Sequence, residues 1–266
     1  MKKNSKIFIA GHRGLVGSAI LRNLQKKKYT NLITRTRQEL NLLDADAVES
    51  FFVKEKPEYV FLAAARVGGI LDNSLHPADF IRENLILQTN VLESAQRHNV
   101  TKLMFLGSSC IYPKNSPQPI KETYLLQGPL EPTNEAYAIA KIAGILTCQS
   151  YNKQYGTDFI SVMPTNLYGP NDNFDLQSSH VLPALLRKFH EATKAKSPSV
   201  TMWGSGKPKR EFLHVNDMAD ACVYLMNTYS GSDIVNIGTG TDVSIKQLGL
   251  LMKKITGFKG KIIWDT

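Results

Sequence analysis

Apolar and polar residues alternate in blocks from the start of the chain. Residues 6–10 form a short apolar run that breaks at glycine, and beyond it Leu15, Ile20, Leu21 and Leu24 recur at helical spacing. A strand, a tight turn and an amphipathic helix are predicted there. Further strands fit residues 31–34, 59–65, 102–107 and 159–164, with helical patterns between them at 45–55, 81–98 and 136–155. Repeated strand–helix alternation predicts an α/β fold, a Rossmann-type doubly wound parallel sheet.

After Pro164 the pattern changes. Gly169-Pro170, Asn171-Asp172-Asn173 and Ser178-Ser179 mark a loop, followed by helical patterns at 181–195 and 217–228 and a last strand at 261–264. The expected division is a sheet domain over residues 1–165 and a smaller α/β lobe over 166–266, with segments such as helix 217–228 returning to the sheet. A chain of 266 residues can bury one such core and its lobe.

Composition narrows the class. With 42% apolar and 21% charged residues the chain is neither disordered nor fibrous, and its longest apolar runs are strand-sized, too short to span a bilayer. The basic N-terminus runs into the glycine motif instead of an apolar stretch, so no signal peptide is expected and the cytoplasm is the predicted home. Cys110, Cys148 and Cys222 have no paired spacing, which argues against both a disulfide framework and a zinc site. The net charge of +9 is scattered, and its longest run is only Lys26-Lys27-Lys28. That pattern suits anionic small molecules or a plain solvated surface, and neither a nucleic-acid nor a membrane partner is expected.

Gly11-His12-Arg13-Gly14-Leu15-Val16-Gly17 places three glycines where the first strand meets its helix. Glycines also make ordinary turns. The strand before and helix after are what dinucleotide binding requires, because the helix N-terminus then offers N–H groups and partial positive charge to a pyrophosphate. An acid some twenty positions on would select NAD by repelling a 2′-phosphate, but Arg35-Thr36-Arg37 stands there and Arg13 sits in the turn itself. Two arginines can clamp a phosphate through charge-assisted hydrogen bonds, so NADP(H) is predicted as cofactor. Asp44 either meets the adenine amine or caps the next helix.

Ser108 lies at the end of a predicted strand, and Tyr137 and Lys141 are four apart on a predicted helix, hence on one face. A phenol titrates near 10 when free, and an adjacent ammonium is expected to lower that value. Lysine would tune and tyrosine would transfer the proton. Ser108 would hold the carbonyl or alkoxide oxygen of the substrate by a hydrogen bond.

These motifs resemble the extended short-chain dehydrogenase/reductases along the chain from Lys6 to its last residues. Within that family the strongest similarity is to the branch that makes GDP-L-fucose, carried by stretches 8–14, 63–69, 106–113, 130–135, 164–170, 203–206 and 210–215. The resemblance implies a GDP-sugar substrate, GDP-4-keto-6-deoxymannose, epimerised at C3 and C5 and then reduced at C4 with NADPH. It also implies that Arg37, Gln38, Glu39, Leu40, Asn41 and Leu42, with Leu106, Gly107, Ser108, Ser109 and Lys141, line the cofactor. Pro164, Thr165, Asn166 and Leu167 fall on its nicotinamide side, and His180 is near it. Because the C3 and C5 protons flank a ketone, removing either gives an enolate that Ser108 and Tyr137 can hold. The family's acid–base pair for inversion matches Cys110 and His180. Its substrate contacts match Lys188, often arginine in the family, together with Trp203 and Arg210.

The resemblance further implies a homodimer pairing helices 81–98 and 136–155. Members of the branch continue past the strand at 261–264 with a segment that adds a substrate-binding acid. This chain is therefore expected to bind NADPH normally and GDP-sugar weakly. Competing expectations are another nucleotide-sugar epimerase or a 4,6-dehydratase, a catalytically impaired NADP-binding protein, and a basic nucleic-acid module. Ser109-Cys110 stands where a dehydratase usually carries Asp-Glu, the intact Ser108, Tyr137 and Lys141 disfavour an impaired site, and no basic stripe supports nucleic acid.

Overall fold

The computed structural model describes residues 1–266. Ile7–Ala10 (β1) is buried along its whole length, as a strand covered on both faces must be, and Leu15–Lys26 (α1) follows it. Leu32–Ile33 (β2), Ala45–Glu55 (α2), Tyr59–Leu62 (β3), Ile70–Leu75 (α3), Pro77–Arg97 (α4), Lys102–Leu106 (β4), Glu135–Tyr155 (α5) and Phe159–Pro164 (β5) continue the alternation. The third strand ends at Leu62, earlier than its apolar run, because the chain from Ala63 onward leaves the ladder. The fourth helix starts at Pro77, ahead of its apolar stripe, since proline at the first helical position lacks only a donor that would be unsatisfied anyway.

Beyond β5 come Asn166–Tyr168 (β6), Val181–Lys194 (α6), Ser199–Trp203 (β7), Lys209–His214 (β8), Val215–Thr228 (α7), Val235–Ile237 (β9), Asp242–Ser244 (β10), Ile245–Thr256 (α8) and Lys261–Asp265 (β11). The alternation pattern does not reveal α8, but its ends carry the signals: a Ser244/Gln247 capping box and a left-handed Gly257.

The central sheet is parallel with order β2-β1-β3-β4-β5-β9. Its connections wind outward in opposite directions from the gap between β1 and β3, and a crevice is expected at the carboxyl ends of the strands there. One face is covered by α2, α4 and α5, with Val48, Phe52, Val91, Leu92 and Ile145 in its core. The other lies under α1 and α7, with Ile20, Leu24, Met218, Cys222 and Val223. A third cluster of Leu185, Phe189, Met202, Leu248, Met252 and Phe258 gathers α6 and α8 over the parallel pair β7–β11. Strands β10, β8 and β6 form a separate three-stranded sheet. No helix is long and apolar enough to cross a membrane.

Candidate active site

Because β1, β3, β4 and β5 run parallel, the residues that follow them all emerge at one end of the sheet. Gly11 follows β1 in the left-handed region, at φ 86°, and a Cβ there would lie 2.7 Å from the Ala64 backbone nitrogen. A Cβ on Gly17 would lie 2.2 Å from the Gly11 carbonyl oxygen, so α1 can sit this close to the turn only without one. Gly14 is different. It is the N-cap of α1, has no side-chain cap, and a Cβ on it would meet nothing nearer than 3.5 Å. The first turn of α1 carries no acid, so its open N–H groups remain available to an anion.

These residues border a cleft of about 830 Å³ lined by Gly11 to Gly14, Arg35 to Gln38, Leu40 to Leu43, Ala64 to Arg66, and Leu87. The sequence singles out two candidate arginines after β2, and the structure separates their roles. Arg35 pairs with Glu55 at 2.6 Å and lies over the Phe51 ring, whereas Arg37 and Arg13 are exposed at the cleft and make no ion pair. A dinucleotide with an extra phosphate fits this donor set. Glu39 points out of the lining: its carboxylate accepts the Thr36 N–H at 2.7 Å and shapes the turn that carries Arg37. Leu15, Val16 and Gly17 are likewise behind the lining, in α1. Asp44 caps α2 by accepting the Ala47 N–H at 3.0 Å.

Ala64, Ala65 and Arg66 also line the cleft, though hydrophobic patterning marks the two alanines only as the tail of a strand and does not mark Arg66. Their position just past β3, next to the reversal of strand order, is the signal that finds them. Arg66 is held by Glu83 at 2.8 Å and Asp79 at 3.3 Å.

Leu106 ends β4, and Gly107 donates its N–H to the Val162 carbonyl at 2.9 Å, which keeps Ser108 and Ser109 beside β5. Ser108 caps the short turn Ser109–Ile111 that contains Cys110, with its hydroxyl 3.4 Å from the Cys110 nitrogen and near enough to the Tyr137 phenol to influence its ionisation. Tyr137, Lys141, Ser108 and Cys110 thus share one partly enclosed site. Their electrostatics depart from the expectation that lysine lowers the phenol. Burial pushes Tyr137 well above its usual value, the nearby Cys110 adds to the rise, and Ser108 opposes it. Lys141 is itself lowered to about 8 by burial, and it donates to the Leu106 carbonyl at 2.8 Å, 5.8 Å from the Tyr137 ring centre. Desolvation outweighs the charge because Lys141 is buried and Tyr137 half-buried in the same site. Burial also raises the Cys110 thiol, with Ser108 and Lys141 pulling it back.

His180 is the N-cap of α6 and is exposed to solvent; partial desolvation lowers its pKa, while Asp172 supports the charged ring. Pro164 ends β5, Leu167 packs on the α1 side of the core, and Thr165 and Asn166 both donate to the Glu211 carbonyl at 3.0 Å. Lys188 on α6 stands over the Trp203 ring at 4.7 Å, and the indole is 68% exposed. Arg210 on β8 is exposed and donates to the Lys209 carbonyl at 2.7 Å.

Comparison with known proteins agrees with this architecture. Residues 7–238 match the model of the NAD dependent epimerase/dehydratase family. The chain is 62% identical over 263 residues to GDP-L-fucose synthase 1 of Arabidopsis thaliana, covering 99% of this chain and 81% of that protein. It is 55% identical over 269 residues to GDP-L-fucose synthase of Escherichia coli (strain K12), covering 98% of this chain and 84% of the relative. Among solved structures, a GDP-mannoheptose C4 reductase from Campylobacter jejuni with NADP bound superposes with a TM-score of 0.91 at 45% identity, covering 100% of this chain and 89% of that one. The glycine turn, the Ser/Tyr/Lys site and these matches together make the chain a member of the NAD dependent epimerase/dehydratase family, in its GDP-L-fucose synthase branch.

Proposed function

We propose that the chain converts GDP-4-keto-6-deoxymannose to GDP-L-fucose, by epimerisation at C3 and C5 followed by reduction at C4. The observation that carries this reading is the convergence of Ser108, Cys110, Tyr137 and Lys141 at the carboxyl end of the sheet, beside a cleft with two free arginines. Gly11, Gly14 and the N-terminus of α1 hold the pyrophosphate of NADP(H), and Arg13 and Arg37 hold its 2′-phosphate. When bound there, the reduced cofactor supplies the hydride for C4.

Ser108 and Tyr137 hydrogen-bond the C4 oxygen. They stabilise it as an enolate oxygen when a flanking proton leaves and as an alkoxide during reduction. Cys110 and His180 exchange the C3 and C5 protons from the two sides of the ring. Tyr137 delivers the proton to the C4 oxygen. Lys141, through the Leu106 carbonyl, keeps the turn and the helix in register. Lys188, Trp203 and Arg210 receive the GDP, two cations for its phosphates and an exposed indole for stacking. In this reading residues 1–165 are chiefly the cofactor domain and 166–266 chiefly the GDP-sugar lobe. The protein works in the cytoplasm as a homodimer. Ile139 and Leu146, seven apart and each 42% exposed on α5, support a helix-pairing interface.

Incubation with NADPH and GDP-4-keto-6-deoxymannose, followed by cofactor absorbance and product identification, tests the assignment. GDP-L-fucose is the expected product. Reduction without inversion would instead make the chain a C4 reductase, as its structural relative is described.

A further inference from the structure

His180 terminates a loop, residues 169–180, that is knit by its own hydrogen bonds. The Asp175 carboxylate accepts the Gln177 and Ser178 N–H groups, each at 3.0 Å, Ser179 donates its N–H to the Asp175 carbonyl at 2.9 Å, and Asn173 reaches the Ser178 hydroxyl at 2.9 Å. The loop's outer attachments place it, one of them on α6 itself, where Arg187 donates to the Phe174 carbonyl at 3.0 Å.

Two attachments lead to segments that border the cofactor cleft. Asn171 sits in the left-handed region at φ 69° and donates its amide N–H to the Ser18 hydroxyl oxygen at 3.0 Å. Ser18 is buried in the first turns of α1, four residues after Gly14, and its own N–H bonds the Gly14 carbonyl at 3.0 Å. Its hydroxyl donates to the Leu15 carbonyl at 3.1 Å and accepts from Arg22 at 3.1 Å, so with Asn171 every position on that oxygen is used. Three residues past Arg66, which forms the β3 border of the cleft, Gly69 donates its N–H to the Ser178 carbonyl at 2.8 Å, and a Cβ on Gly69 would stand 2.6 Å from the Ser179 carbonyl oxygen. That border is fixed in turn, because Asn84 brackets the Arg66 backbone through bonds of 2.9 and 3.0 Å.

We propose that Asn171 is a positioning residue. Through Ser18 it ties the loop ending in His180 to the helix whose N-terminus holds the pyrophosphate, so occupation of the glycine turn and placement of the imidazole are linked. Gly69 provides the counter-hold from the segment that follows β3. The inference rests on the reading of His180 as a proton carrier in epimerisation. Its consequence is that proton exchange at C3 and C5 depends on cofactor occupancy, although the cofactor takes no part in those proton transfers.

Asn171→Gly removes the amide while keeping the left-handed backbone, and Ser18→Ala removes the acceptor from the other side. Two readouts are needed: the imidazole ¹⁵N resonances of His180 with and without NADP⁺, and deuterium incorporation at C3 and C5 in heavy water. In the unmodified protein NADP⁺ should shift the His180 resonances. In both variants NADP⁺ should still bind without that shift, and cofactor-stimulated deuterium incorporation should fall roughly 3- to 30-fold, the range of ordinary coupling energies. His180 resonances that respond to NADP⁺ equally in all three proteins, with unchanged incorporation, overturn the proposal. His180→Asn serves as the control for the underlying reading. Full incorporation by that variant removes the histidine from proton transfer, while the resonances of the Asn171 and Ser18 variants still judge the tether.

Discussion

Lys141 and Leu106 share a hydrogen bond of 2.8 Å, from the ammonium to the last carbonyl of β4, so α5 and the strand leading to Ser108 are joined by a buried charge. That charge is lost early, because burial lowers Lys141 to about 8. Reduction should therefore be constant below that pH and decline as pH rises through about 8, whereas Tyr137, raised by burial, stays protonated there. A pH–rate profile of ketone reduction checks this. Lys141→Met should abolish the alkaline limb and lower the rate throughout, and a limb unchanged in that variant would assign it elsewhere.

Arg37 and Arg35 should separate binding from stability. Arg37→Ala removes a free guanidinium and is expected to weaken NADPH by roughly 1.5–3 kcal/mol, about 10- to 100-fold, with little effect on NADH. Arg35→Ala breaks the half-buried pair with Glu55 and should lower the melting temperature while changing the NADPH/NADH ratio less. Titration with both cofactors and a thermal melt distinguish the two, and equal loss of NADH and NADPH in Arg37→Ala would refute a 2′-phosphate contact.

Two neighbouring glycines should fail differently. Gly17→Ala forces a Cβ to 2.2 Å from a backbone carbonyl, and close-packed sites resist such insertion by about 1–3 kcal/mol or more, so folding and NADPH binding should both suffer. Gly14→Ala has 3.5 Å of clearance and an ordinary φ of −76°, so its melting temperature should hold while the new methyl obstructs the pyrophosphate. Circular dichroism melts and NADPH titration of the pair decide the matter.

In the proposed mechanism epimerisation and reduction share the oxygen site but not the proton carriers. Cys110→Ser should stall deuterium exchange and still allow reduction of a ketone that needs no inversion. Tyr137→Phe should reduce no ketone, whatever its sugar. Normal GDP-L-fucose formation by the cysteine variant would exclude the thiol from the chemistry.

Leu146→Glu places a charge on the exposed apolar side of α5 and should convert the proposed dimer to a monomer, visible by light scattering. An unchanged mass would move the interface away from α5.

Much of this was readable from the chain because it is local. The glycine turn lies within seven residues, the Tyr137 and Lys141 spacing within one helical turn, and β1, β4 and β5 are apolar runs bounded by clear breakers. What was not readable depends on partners distant in sequence. Nothing near Arg35 reveals that Glu55 takes it, leaving Arg37 free. The phenol and ammonium are neighbours on the helix as expected, but how strongly burial shifts them follows from packing of the sheet beneath them. Strand β9 has only three residues, too few for a pattern, and it is recognised only where it pairs with β5.

That late pairing sets an order of events during synthesis. When a ribosome has made Tyr137, Lys141 and the whole of β5, the edge of β5 is still open, and Ile7, Ile9, Met104 and Val162 still lack α7 over them. The stretch from Thr165 to Ile234 must emerge before that edge and face close. A nascent chain paused within that stretch would hold every proposed member of the Ser/Tyr/Lys site yet expose apolar sheet, a natural stage for chaperone engagement and for proteolytic loss.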